Sequence, residues 1–462
     1  MASRSDVQNR IAALALASLL FACAPSAVDY SALRSAAAER QRAAGLEGPS
    51  DASVNQLIAR PLTAESAAQI ALLNNHGVRA AAEDLGIAQG RAAQARRLPN
   101  PTLEGAMRFR GDDDPELEIG ALLDLSSLVF LAARSAAASD EVDAAKLRAI
   151  GAMLDLSFDA RRAFYDYQAA AELLALRRVV FASFDASADL ARRLREAGNI
   201  TELDLASQLS LFEEARLELR AAEVAELGAR ERVNRLLGLW GRGVSWRTEP
   251  RLPEPPREEL AVDGLEKIAV ERSLELAESR HRFAAADRRA STARAQGFLP
   301  ELKAGVSAER DDDWSVGPAV EIEVPLFYQG QGEVGQAQAE MRQQQNLYAD
   351  AAVGVRSSAR DLAERLRAQR ETALYYKNVL LPLKQKVVEQ SQLEYNGMLI
   401  GLFQLLQAKR DQVRTAAAYV EALRSYWTAR TGVEQLLSGR RPGEGAPIAL
   451  DSPEPAPAAA GH

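Results

Sequence analysis

The chain lacks most of what builds compact, disulfide-stapled or metal-centred proteins. Its 462 residues include one cysteine, Cys23, so no internal disulfide can form. With three histidines and five methionines, soft metal ligands are scarce, and no metal site or cofactor is expected. Aromatic residues make up only 6%. No apolar run after the N-terminus approaches the ~18 residues that a membrane-spanning helix requires, so any crossing must use strands closed into a barrel. There is no basic excess: the net charge is -8 and the isoelectric point about 5.3, which excludes a nucleic-acid partner that would want a basic face. Phosphate loops, nucleophile elbows and HExxH spacing are all missing, so no enzymatic activity is expected. His76, between Asn75 and Gly77, reads as a residue of a helix bend, and Glu213-Glu214 as solvated acids on a helix face.

What is present is Ala and Leu. Hydrophobic residues reach 47% and charged residues 26%, with both signs interspersed, a composition of long helices packed side by side.

Residues 1–22 read as an export signal: Arg4 and Arg10 precede a short apolar stretch that ends at Leu20-Phe21-Ala22-Cys23. That ending resembles the bacterial lipobox, which makes Cys23 a candidate lipid anchor. Ala24 follows it, not the aspartate that favours inner-membrane retention, so the lipid is expected in the outer membrane. An ordinary signal peptide with an incidental cysteine is the alternative.

The chain repeats itself at a spacing of about 201 residues. Leu98-Pro99 recurs as Leu299-Pro300, Leu123-Asp124-Leu125 as Val324-Pro325-Leu326, and Asp112-Asp113-Asp114 as Asp311-Asp312-Asp313. Leu236-Leu237-Gly238 recurs near Leu437-Ser438-Gly439, and Gly198 finds a counterpart in Gly397. The expected organisation is an anchor and linker over 23–60, a first repeat over 61–245, a linker over 246–258 marked by Pro250, Pro253, Pro255 and Pro256, a second repeat over 259–439 and a disordered tail over 440–462.

Each repeat opens on a helix (64–97 and 265–296), passes through two short alternating segments and ends in two long helices. The alternating segments predict β-hairpins over 101–126 and 300–327. Leu103, Gly105, Met107 and Phe109 alternate with Glu104, Ala106, Arg108 and Arg110. Leu117, Ile119, Ala121 and Leu123 alternate with Glu118, Gly120 and Asp124. Leu302, Ala304 and Val306 alternate with Lys303, Gly305 and Ser307, and Val320, Ile322 and Val324 with Glu321 and Glu323. A soluble sheet alternates in the same way. Four strands, however, cannot close a barrel and open edges are not viable in lipid, so several chains must each donate four; three copies give a twelve-strand barrel with a charged, mainly acidic lumen. From 128 to 197 no proline interrupts and Gly151 is the only glycine, which predicts one helix on the order of 100 Å long. Its partner is expected over 201–237, with the second pair over 332–395 and 402–437 and a kink at Pro382.

These residues carry a family resemblance. Arg97-Leu98-Pro99-Asn100-Pro101-Thr102-Leu103 is similar to the "LPNPxL" entry to a first hairpin, and Phe298-Leu299-Pro300-Glu301-Leu302 with Val324-Pro325-Leu326-Phe327 to the motifs that bracket a second. Trp314 to Gly317 resembles a "W..G" strand, and Tyr395, Gly397, Leu405, Leu406 and Ala408 resemble "YxxG…LLxA". In this order, duplicated across nearly the whole chain, they resemble the TolC-like outer-membrane efflux proteins, with the lipid signal of the lipoprotein branch. The resemblance implies a homotrimer: a β-barrel in the outer membrane of a Gram-negative bacterium, continued by an α-helical barrel through the periplasm and docked on an adaptor and an inner-membrane pump. It implies that the turns near Gly198, Asn199, Thr201 and Leu203, and near Gly397, Gly401 and Leu405, are periplasmic tips that meet the adaptor. Some relatives carry aspartates just after the second tip. Here Phe403, Gln404, Leu406 and Gln407 stand there, so Glu202 and Asp204 after the first tip join Gln404 and Gln407 as constriction candidates. The exported substrate is left open among metal ions, drugs and proteins. A protein-secretion duct, or a coiled-coil adaptor or scaffold lipoprotein, is the alternative function; the adaptor would share the helices but would not need two-faced hairpins.

Overall fold

The computed structural model describes residues 27–46, 52–109, 115–249, 251–310, 313–324 and 326–443. The export signal, Cys23, Arg110, the first Asp triplet, Asp311, Asp312, Pro250, Pro325 and the tail from 444 lie outside them.

The segment expected to be anchor and linker holds two helices, α1 (Tyr30–Ala43) and α2 (Val54–Ile58). The amphipathic spacing of Leu33, Ala37 and Ala38 seats α1 on the core, and Gln41 Nε2 donates to Ser157 Oγ at 2.7 Å. The first helix of repeat one is split into α3 (Ala64–Asn74) and α4 (His76–Ala95), because Asn75 turns extended and caps the next helix by accepting from the Val78 amide. Strands β1 (Thr102–Arg108) and β2 (Glu116–Asp124) follow, then the one-turn α5 (Ser126–Val129), α6 (Leu131–Glu196) and α7 (Glu202–Leu237). The second half runs through the same order: α8 (Leu265–Arg272) and α9 (Leu274–Gln296), split at Ser273; β3 (Glu301–Arg310) and β4 (Trp314–Glu323); α10 (Gln331–Tyr375), α11 (Leu381–Asn396) and α12 (Leu402–Leu437). Pro382 produces no break of its own. A π-helical turn, Tyr376–Leu380, precedes it and carries the chain past the missing donor.

α6 is 66 residues long, or about 100 Å at the helical rise. Alanines such as Ala137, Ala144, Ala145 and Ala149 line its buried face and let neighbouring helices approach closely. One group of buried aromatics packs at the middle of α6. Tyr165 stacks on Trp427 at 4.9 Å, Tyr167 meets Trp246 edge-on at 4.9 Å, and Phe158 and Tyr426 are fully buried. There the Pro-rich connection between the halves is pinned: Trp427 Nε1 donates to the Pro253 carbonyl at 2.7 Å, and Arg370 donates to the carbonyls of Pro256 and Arg257.

The two halves end alike. Gly238, at φ 65°, lies against the Asn74 carbonyl at the α3–α4 break, and Gly439, at φ 93°, lies against the Arg272 carbonyl at the α8–α9 break. A β-carbon would collide with backbone at either position, so glycine answers both the left-handed conformation and the close approach. The chain does not loosen at 440: Arg440 binds Asp155 at 2.8 Å and Glu275 at 3.4 Å.

The four strands form one antiparallel sheet in the order β1-β2-β3-β4. The β2–β3 pairing is the seam between the halves, with Ala121 opposite Val306 and Gly120 opposite Ser307. A β-carbon on Gly305 would overlap the Ala121 carbonyl, so the seam requires glycine there. Gly305→Val is expected to separate the two hairpins, at a cost of at least ~2 kcal/mol of overpacking, read as loss of the folded band in heat-modifiability gels.

Candidate functional site

The sheet has two faces, and residue register assigns them. Opposed pairs Gly105–Ile119, Ala121–Val306, Ile119–Ala308, Ala304–Val320 and Leu302–Ile322 make one face apolar across all four strands. The other face carries Glu104, Glu116, Glu118, Asp124, Glu301, Glu309, Glu321 and Glu323 against Arg108 and Lys303. Lys303 Nζ bridges Glu321 at 3.0 Å and Glu301 at 3.8 Å, and Arg108 reaches Glu118 at 3.5 Å, so the acids of this face outnumber its cations. The apolar face is exposed in the single chain: Leu103 80%, Val316 71% and Val320 63%. Aromatic side chains stand at both ends of this band, Phe109 and Trp314 at one, Phe298, Phe327 and Tyr328 at the other, all exposed. Sequence reading missed these as a set, because their alignment depends on strand register. β1 and β4 are the two edges of the sheet, and among the described residues no strand pairs with the outer side of either.

At the far end of the long helices lie two turns. In the first, Gly198 sits at φ 77° and the Asn199 amide donates to the Leu194 carbonyl at 2.8 Å. Thr201 then opens α7 with a reciprocal cap: the Asp204 amide donates to Thr201 Oγ1 at 3.1 Å, while Thr201 N donates to Asp204 Oδ2 at 3.0 Å. The Thr201 hydroxyl, which donates to Asp204 Oδ2 at 2.7 Å, and then the Thr201 amide hold the Asp204 carboxyl below the usual carboxylate range. Glu202 pairs with Arg195 at 3.1 Å.

The second turn has the same hydrogen bond, from the Leu399 amide to the Glu394 carbonyl at 2.9 Å, but the left-handed residue is Met398 at φ 58°. Gly397, at φ -79°, is ordinary backbone. The geometric counterpart of Gly198 is therefore Met398, one residue beyond the glycine that the sequence repeat picks out. Gly401 occupies the place of Thr201 and has no side chain to cap with; its amide donates to Gln404 Oε1 at 3.2 Å. Met398→Gly is expected to relieve left-handed strain, partly offset by unfolded-chain entropy, for a net gain of about 0.5 kcal/mol. Hydrogen exchange at the 394–402 amides should slow about twofold.

The structure redistributes the candidate tip residues. Gly198, Asn199, Thr201, Leu203, Gly397 and Gly401 are exposed, whereas Leu405 is buried at 5% and faces the helix pair. Its place on the surface is taken by Met398 at 93% and Leu399 at 78%, which, with Leu203 at 76%, give the tips an apolar surface. Of the constriction candidates, Asp204 and Gln404 cap their own helices, and Gln407 donates to Asp411 Oδ1 at 3.1 Å. Glu202 is the one whose carboxylate stands exposed beside a single arginine.

No family model matches the chain. The chain is 25% identical over 398 residues to the cobalt-zinc-cadmium resistance protein CzcC of Cupriavidus metallidurans, covering 82% of this chain and 90% of that protein. In structure it is similar to the outer membrane protein VceC of Vibrio cholerae, with a TM-score of 0.67 at 16% identity over 84% of this chain and 96% of that one. The CmeC outer membrane channel of Campylobacter jejuni matches with a TM-score of 0.68 at 13% identity over 83% and 87% of the two chains. With the two-faced hairpins and the long helical pairs, these likenesses give the chain the fold of the outer-membrane channels, the fold that its resemblance to the TolC-like outer-membrane efflux proteins implies.

Proposed function

We propose that three copies of this internally duplicated chain assemble into an outer-membrane duct of a tripartite efflux system. The observation that carries this reading is the four-stranded sheet with an apolar and an acidic face and two unpaired edges. β1 of one copy is antiparallel-compatible with β4 of the next, and three sheets joined in this way close a twelve-strand barrel without a free edge in lipid. Strands of 7 to 10 residues suit a tilted crossing, and aromatic girdles suit the two interfaces. The ~100 Å helices extend the duct into the periplasm, where Leu203, Met398 and Leu399 offer an adaptor an apolar landing surface. Cys23 is the lipid anchor in this reading.

The acid excess on the lumen face favours cations by concentrating them in the mouth. Together with the likeness to a cobalt-zinc-cadmium resistance protein, it supports divalent metal cations as the cargo. A deletion strain is expected to become sensitive to cobalt, zinc and cadmium and to recover with the plasmid-borne gene. Sensitivity confined to organic drugs and detergents would reassign the cargo. An export defect in a secreted protein, with no change in resistance, would move the duct to protein secretion. A detergent-free, monomeric protein after removal of residues 1–23 would remove the channel reading altogether.

A further inference from the structure

The sequence offers no metal-ligand spacing, yet the fold assembles one ligand set. Asp140 and Asp143 lie three residues apart on α6 and so share a face. His281 of α9 lies across from them, and among the described residues one donor atom from each of the three falls within 4.8 Å of the others. We propose that Asp140, Asp143 and His281 bind a divalent transition-metal cation of the zinc and cobalt class.

Geometry is the first support. His281 Nδ1 and Asp140 Oδ1 are 3.2 Å apart. Two ligands at ~2.0–2.1 Å from a tetrahedral ion lie roughly 3.3–3.4 Å from each other, so the pair already spans an edge of the coordination shell. Donor chemistry is the second. One imidazole and two carboxylates suit zinc or cobalt, whereas calcium and magnesium favour shells made of oxygen alone. Arg288 Nε donates to Asp140 Oδ2 at 2.9 Å, so the arginine competes with an ion for this carboxylate while Oδ1 faces His281. Asp143 is exposed, which gives the ion a route in and leaves a fourth position for water. A bound ion would tie α6, which follows β2 and α5, to α9, which leads into β3. It would thus staple the two halves together about 15 Å along α6 from the sheet end.

The competing explanation is a plain ladder of ion pairs between these helices. Arg148 meets Glu278 at 2.9 Å nearby, and Arg289 pairs with Glu141. The two explanations differ over Arg288. In a ladder, Arg288 is the partner of Asp140; at a metal site its charge opposes the ion.

The test uses the full chain extracted in detergent and titrated with cobalt(II), read by visible absorption, then with zinc in competition. Expected are one ion per chain, tetrahedral-type cobalt absorption and displacement by zinc. His281→Ala and Asp143→Asn should each weaken binding roughly 10- to 100-fold. Arg288→Gln should tighten it about threefold or more by removing a like charge. The assembly state of each variant in detergent, compared with the parent, separates a folding defect from a lost ligand. No binding below about 1 mM cobalt, equal binding by the parent and His281→Ala, or unchanged or weaker binding by Arg288→Gln would overturn the proposal. None of these readouts depends on what the duct exports, so failure here leaves the proposed function standing.

Discussion

Arg161→Met is expected to destabilise the folded chain by about 2–3 kcal/mol, and the loss should shrink in acid. The Arg161 and Glu434 side chains are only 6% and 9% exposed and lie 3.6 Å apart, between the middle of α6 and the end of α12. Removing one member of a buried ion pair costs ~3–5 kcal/mol when the other charge is left alone. Here Arg430 stays at 3.1 Å from Glu434, so the cost falls below that range. Burial pushes the Glu434 carboxyl up, against the pull of Arg161 and then Arg430, with Glu65 adding to the rise. A carboxyl raised in the folded state favours folding below its unfolded pKa and gives up that contribution as pH rises through the folded value. Loss of Arg161 raises it further, so the deficit of Arg161→Met should be largest near neutral pH and smaller toward pH 5. Adding Glu434→Gln to Arg161→Met should recover most of the lost stability, since the stranded charge is then gone. Thermal unfolding of the detergent-extracted protein at pH 5 and 7.5 measures all three. A deficit that stays the same in acid would mean that Arg161 contributes through packing rather than through the charge on Glu434.

Much of this architecture is legible in the sequence for one physical reason: each element is long and strongly periodic. A proline-free stretch such as 128–197 has only one way to satisfy its backbone, and the period-two alternation of Leu117 to Leu123 assigns faces before any register is known. The parts that stayed hidden depend on single residues or on contacts across the chain. Nothing local distinguishes Met398 from Gly397 as the left-handed residue; the helix simply runs one residue further before the turn closes. Leu405 looks as available as Leu203 until the partner helix covers it. The helix breaks at Asn75 and Ser273 are set by caps that compete with continued helix, and the residues that meet them, Gly238 and Gly439, lie more than 160 positions away. His281 and Asp140 are 141 residues apart, beyond any motif that sequence spacing can reveal.

The second large effect is expected at the sheet. Ile119→Arg places a cation in the middle of the apolar face, between Gly105 on β1 and Ala308 on β3. If that face meets lipid, a mid-bilayer arginine costs roughly 2–4 kcal/mol per chain, and the cost enters once for each copy in the assembly. Ser307→Arg is the matched control. Ser307 lies on the opposite face, opposed by Gly120 on β2 and Gly317 on β4, so a long side chain has room and enters an acid-rich environment. Ile119→Arg should abolish the detergent-extracted trimer and remove the protein from the outer-membrane fraction, while Ser307→Arg assembles close to the parental level. The asymmetry is what separates a membrane barrel from a soluble sheet. A sheet packed against another protein domain would also reject Ile119→Arg, but its yield would be rescued in the soluble periplasmic fraction rather than by detergent. Equal tolerance of the two arginines would mean that neither face meets lipid, and the two unpaired edges would then need another partner than a neighbouring copy.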